Sequence, residues 1–173
     1  MHPPESELLM LLDHFQNGQY DQVISLGRIL SSKFPAHPFS WKALGVAHQM
    51  KGNTIEAVAA NTTFVKLNPK ASEGFSNLAA SLLSAGKTNE AIESCKVALS
   101  LKPDNFEACL NLGYALRAIG HIPDALQALE QAKQLNTDDL RADLKICEIL
   151  TATGIFKKAE DNYKELLLAH PMN

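Results

Sequence analysis

Three groups of residues in this chain have types and spacing that could do chemistry. Gly86-Lys87-Thr88, in the stretch SAGKTNEAIE, matches the end of a phosphate-binding loop, where backbone amides cradle phosphate. His14 and His48 could share a metal ion if the fold brought them together. Cys95, Cys109 and Cys147 could supply thiolates. The surroundings of each argue otherwise. A phosphate loop needs glycine five residues before Gly86; that position is Ser81, inside the apolar run NLAASLLSAG, which reads as helix up to Gly86. Its amides are committed to helical bonds. No cysteine or carboxylate is spaced to complete a metal site around the histidines. An odd number of well-separated cysteines argues against a disulfide framework and for small core residues in a reducing compartment. Single carboxylates scattered along helices do not converge as a catalytic site must. No enzyme activity, metal or cofactor is expected.

The elements that position these residues are helices. The 173 residues are 46% hydrophobic and 20% charged, with a net charge of −3 and no block of like charge, which implies neither a nucleic-acid nor a membrane surface. No apolar run reaches the length of a membrane span, and MHPPESELLMLLDHF lacks the basic flank and cleavage site of a signal peptide. A cytoplasmic location follows as the expectation. Period-two alternation is almost absent, whereas i, i+3, i+4, i+7 spacing recurs in LAASLLSAG, EAIESCKVALSL and DALQALEQAKQL. The predicted fold class is all-α.

The helices repeat. Gly18, Gly52, Gly86, Gly120 and Gly154 stand 34 residues apart without insertion or deletion. Val23, Ala57, Ala91, Ala125 and Ala159 keep the same step, as do Pro35, Pro69, Pro103, Thr137 and Pro171, and Met10, Leu44, Leu78, Leu112 and Ile146. Each mark has a physical role. Glycine takes the left-handed C-cap of a first helix. Asp21, Thr54, Thr88 and Asp124 then offer oxygens near the start of a second helix. The small residue lets the two helices cross closely, and proline stops the second helix. Gly86-Lys87-Thr88 is therefore predicted to be a turn between paired helices.

This period resembles the tetratricopeptide repeat. FSWKALGVAHQMKGNTIEAVAANTTFVKLNP carries the pattern most fully, in Trp41, Leu44, Gly45, Ala57, Phe64 and Pro69. The resemblance covers residues 4–171 as five tandem units, approximately 4–37, 38–71, 72–105, 106–139 and 140–173, in a single array. Thr137 departs from the pattern, and so do Leu11 and Cys147, which stand where Gly or Ala is usual and predict looser end units. The resemblance implies a right-handed superhelical solenoid whose first helices line a concave groove, and a non-catalytic scaffold that holds a protein or peptide there. The chain runs out at ELLLAHPMN, where Leu166, Leu167 and Leu168 are consecutive. That predicts either a fragment of a longer protein or a homo-oligomer formed through an uncapped C-terminal helix. The opening LLMLLDHFQNGQYDQVISLGRILSSKFPAHPFSWKALG resembles bacterial proteins in which such units precede a glycosyltransferase or sulfotransferase domain. That resemblance implies an alternative role as the substrate-recruiting or oligomerising arm of a larger enzyme.

The repeat register places candidate groove residues. Lys42, Val46 and Gln49 are expected to face inward from the second unit, along with Phe39, Ala43 and Met50. Asn77 and Leu83 do so from the third with Ser76, and Asn111, Tyr114 and Arg117 from the fourth with Leu110. Arg141 and Lys145 complete the set in the fifth. Asn77 and Asn111 share one site in adjacent units and can both donate to and accept from a peptide backbone. They resemble two rungs of the asparagine ladder of O-GlcNAc transferases. Asn111, Arg141 and Lys145 match part of the dicarboxylate clamp of chaperone-binding arrays, but Ser76 and Ala80 do not. A partner with acidic character is expected near Asn111, Arg117, Arg141 and Lys145, with Glu148 placed one turn from Lys145 to neutralise it.

Overall fold

The computed structural model describes residues 2–169. Ten α-helices follow one another: α1 (Glu5–Gln16), α2 (Tyr20–Lys33), α3 (Pro38–Met50), α4 (Thr54–Leu67), α5 (Ser72–Ser84), α6 (Thr88–Leu101), α7 (Phe106–Ala118), α8 (Ile122–Leu135), α9 (Arg141–Ala152) and α10 (Phe156–Ala169). No strand interrupts them among the described residues. Pro171, last of the proline series, lies outside the described residues.

The odd-numbered helices end in one way. Gly18, Gly52, Gly86, Gly120 and Gly154 take φ of 67, 73, 71, 81 and 76°, the left-handed region that a Cβ disfavours. After α5 the Gly86 amide donates to the Leu83 carbonyl (3.0 Å) and the Lys87 amide to that of Leu82 (2.9 Å). These are the paired bonds of a Schellman turn. The amides that a phosphate would need are already in use.

The even-numbered helices begin differently from expectation. Their N-cap residues are Gln19, Asn53, Lys87 and His121 for α2, α4, α6 and α8, and none makes a side-chain cap bond. Asp21 and Asp124 lie in the first turn instead, where a carboxylate suits the positive end of the helix dipole. The turn is so short that cap side chains reach back to the preceding helix: Asn53 Nδ2 lies 3.2 Å from His48 Nδ1, and Gln19 Oε1 lies 2.6 Å from His14 Nδ1. Proline bars the second helices from continuing but is not required to end them. Pro35, Pro69 and Pro103 come after α2, α4 and α6 have ended, and α8 ends at the equivalent place with Thr137 there.

The repeated small residues Val23, Ala57, Ala91, Ala125 and Ala159 are all buried at the hairpin crossings. Core clusters run along the array, one around Leu11, Val23 and Leu30, one around Phe64, Leu78 and Cys95, and one around Leu110, Leu129 and Ile146. Leu11 and Cys147 fit there fully buried. Each hairpin packs on the next through its second helix, as α2 on α3 or α6 on α7. The first helices α1, α3, α5, α7 and α9 also touch one another in sequence, while the described second helices do not. The first helices therefore form the tighter, inner wall. Met10 differs from its register mates: Leu44, Leu78 and Ile146 are buried, whereas Met10 is 53% exposed because no helix precedes α1 among the described residues.

Candidate functional site on the inner wall

The inner wall places the sequence-derived candidates at different depths. Val46 lines an apolar pocket of about 130 Å³ with Leu12, Phe15, Phe39, Lys42 and Ala43. Gln49 is half-buried, and its oxygen accepts a long bond from the Ser81 hydroxyl (3.5 Å). Asn77 is half-buried, and its side-chain amide has no protein partner among the described residues. Leu83 and Tyr114 are half-buried beside it along the wall. Asn111 sits deeper, 7% exposed, with its amide nitrogen donating to the Ser76 carbonyl of the preceding unit at 3.2 Å. Its donor thus joins two units together, and the two asparagines are not equivalent. Ser76 and Leu110 are buried between helices and do not face the groove, whereas Ala43, also buried, reaches it only as part of the Val46 pocket.

The cations of the wall are already matched. Lys42 Nζ lies 2.7 Å from Glu73 of the next unit, and Arg117 lies 2.5 Å from Glu148. Arg141 spans back to Glu107 through two nitrogens (2.6 and 3.2 Å) and also holds Asp139 at 2.8 Å. Lys145 meets Glu148 at 2.5 Å and lies over the Tyr114 ring, 5.4 Å from its centroid. Arg141 lies similarly over Phe106 at 5.2 Å. Bonding to Lys145, and then the charge of Arg117, holds the Glu148 carboxyl below the usual range, and Arg141 does the same for Asp139. Burial pushes the Tyr114 phenol up. Glu148 neutralises Lys145 as its spacing implied, and Glu73, Glu107 and Asp139 do the same for the other cations. An acidic partner would have to displace these carboxylates. The pairs are exposed, so each contributes little to stability by itself.

Other reactive side chains are packed. Cys95, Cys109 and Cys147 are fully buried, and burial raises the Cys95 thiol to about 12, far from a reactive thiolate. No group of three potential ligands able to hold a metal occurs among the described residues. His14 and His48 each bond the cap residue five positions on, as above. His48 is buried beside Arg28 and Glu56, and burial, then Arg28, lowers its pKa. A histidine that protonates more readily when unfolded costs stability as pH falls below about 6.5. The array should therefore lose stability between roughly pH 7.5 and 5.5, and His48→Gln should lose less. Urea midpoints of both proteins at the two pH values check this, and equal losses would contradict it.

Sequence reading missed two polar contacts. Asn61 is fully buried on α4, and its amide nitrogen donates to the Ser81 hydroxyl (2.8 Å) and the Asn77 carbonyl (3.3 Å) of the next unit. The available signal was an asparagine in register with Gly27, Cys95 and Leu129. Asp143, 7% exposed, takes a 2.9 Å ion pair from Lys133 across the α8–α9 junction, unlike the solvent-facing carboxylates expected.

Helical hairpins stacked in register, with a continuous inner wall of first helices, define an α-solenoid. A sequence profile of the tetratricopeptide repeat matches residues 82–144. The match runs from the last residues of α5 to the start of α9, and the hairpins there carry the tetratricopeptide pattern. The fold is similar to that of MamA residues 41-end from Desulfovibrio magneticus RS-1 (TM-score 0.84, 15% identity, 97% of each chain covered). It is also similar to TTC0263, a thermophilic tetratricopeptide protein of Thermus thermophilus (0.78, 19%, 98% of this chain and 92% of that one). The first tetratricopeptide domain of Spaghetti (RPAP3), solved with the HSP90 peptide SRMEEVD, matches over 68% of this chain and 93% of its own (0.64, 20%). No curated protein matches the sequence. Among the described residues no helix is long and apolar enough to cross a membrane.

Proposed function

We propose that the chain is a non-catalytic scaffold that holds an extended peptide or a partner helix against the inner wall of α3, α5, α7 and α9. The observation that carries this reading is a continuous wall with open apolar and amide groups and no unspent charge. Val46, Leu83 and Tyr114 supply apolar contact. The Asn77 amide, free of protein partners among the described residues, is suited to a peptide backbone. The Asn111 oxygen assists while its nitrogen stays on Ser76. Since Lys42, Arg117, Arg141 and Lys145 are paired internally, recognition rests on backbone and apolar groups more than on acidic side chains. A peptide held by a domain of the same fold supports the reading.

The test is recovery of partners by the purified chain and by variants of the wall. Asn77→Ala removes hydrogen bonds worth about 0.5–1.5 kcal/mol each, a loss of roughly 2–10-fold in affinity. Tyr114→Ala should cost more, because it also removes apolar area. Gln134→Ala, on exposed α8 surface, should change nothing. Recovery unaffected by both wall substitutions would dismiss the proposal. The same wall would serve a recruiting arm attached to a catalytic domain, so this experiment addresses the binding surface in either setting.

A further inference from the structure

On the second helices one position recurs every 34 residues, and its last occurrence differs from the rest. Gly27, Asn61, Cys95 and Leu129 are all buried, whereas Tyr163 is 43% exposed. Leu30, Phe64, Ala98 and Ala132 are buried, yet Leu166 is only half so; Val65 is buried, yet Leu167 is 59% exposed. Within the array this face receives the following first helix. A Cβ on Gly27 would lie 2.9 Å from Leu44, one on Gly74 would meet Phe64 and Val65, and Leu129 shares a cluster with Ile146. At the other end Met10 stands in register with Leu44 and Ile146, and it is exposed together with Leu9. Among the described residues both halves of the internal junction are therefore open, one on α1 and one on α10.

We propose that the two halves mate between copies, with α1 of one copy seated on α10 of another so that the array continues head to tail. The occupant is specified by the register itself: the surface that fits this face at every junction within the chain is a first helix, and α1 is the first helix whose matching face is open. Met10 takes the place that Leu44 has over Gly27, setting its thioether against the Tyr163 ring. Asn61 reaches Asn77 and Ser81 of its next unit; the corresponding residues across the new junction are Tyr163, Leu9 and Asp13. Two unlike surfaces meet, so the contact does not close on itself and gives open chains.

The experiment is light scattering of the full chain over a range of concentrations, with Met10→Glu and Leu167→Glu. Wild type should grow in mass with concentration. Each variant alone should stay monomeric, since each has lost one end. An equimolar mixture should give a 1:1 dimer and nothing larger, because each variant keeps the end the other lacks. Both substituted side chains are exposed, so far-ultraviolet dichroism should be unchanged; if either variant loses helix, Leu9→Glu and Tyr163→Glu replace them in the same design. Wild type that stays monomeric, a mixture that stays monomeric, or association that survives either substitution would overturn the proposal. Survival in Met10→Glu alone would assign pairing of α10 with α10.

Discussion

Leu129→Ala will lower the stability of the array by about 2–5 kcal/mol, the largest effect expected of a single truncation here. Leu129 is fully buried on α8 and packs on α7 at Gly113, where a Cβ would come within 2.5 Å of Leu129 Cγ. It belongs to the cluster that includes Ala142, Ile146 and Ile149 of α9. Truncation leaves a hole that Gly113 has no side chain to fill, so the cost includes both lost transfer energy and the cavity. Solenoid stability is close to a sum of unit and nearest-neighbour terms, so the damage should fall on the α7–α8 hairpin and its junction with α9. Urea unfolding should show α9 and α10 separating before α1–α6. Gly113→Ala, unfavourable in the wild type for lack of room, should become tolerated in the Leu129→Ala background. A loss well below about 1 kcal/mol would mean that the hairpins collapse to refill the space, contrary to the packing described.

Gly45→Ala is the second large effect, and its sign is the informative part. On an exposed helix the change stabilises by up to about 1 kcal/mol. Here the added Cβ would overlap Asn61 Oδ1 and stand 2.6 Å from its Cγ, where α3 crosses α4. Asn61 is fully buried, so it can move only by giving up its bonds to Ser81 and Asn77 in the next unit. A destabilisation of about 1–3 kcal/mol is expected. Asn61→Ala should relieve most of it, and a double-mutant cycle should show coupling above about 1 kcal/mol. Stabilisation by Gly45→Ala, or strict additivity with Asn61→Ala, would show that the two helices are farther apart than this.

These two sites show what the sequence made legible. A glycine at the left-handed turn position has one physical cause, so five of them in register located every hairpin turn and disposed of the phosphate-loop reading of Gly86-Lys87-Thr88. The residues at Ala57, Ala91 and Ala125 were legible for a similar reason: a side chain no larger than the Val23 of the first unit fits the crossing. Helix starts were not, because Asn53 and Gln19 turn their side chains back to His48 and His14 instead of capping the helix ahead. The direction of candidate groove residues was legible from the period, but their depth was not. Asn77 and Asn111 share a register position, and only the carbonyl of Ser76 explains why the second is drawn inward. The charge pairs were within reach. Lys42–Glu73 and Arg117–Glu148 are 31 residues apart and Arg141–Glu107 34, so asking which opposite charges sit one unit apart, or one unit less three residues, finds all three.

The most direct test of the account places a photoreactive residue singly at Val46 and Tyr114 on the inner wall, and at Gln127 and Gln134 on the outer helix α8, in a chain incubated with its partner. Adducts should form from Val46 and Tyr114 and be absent from both outer positions. Adducts from the outer helix, with none from the inner wall, would contradict it.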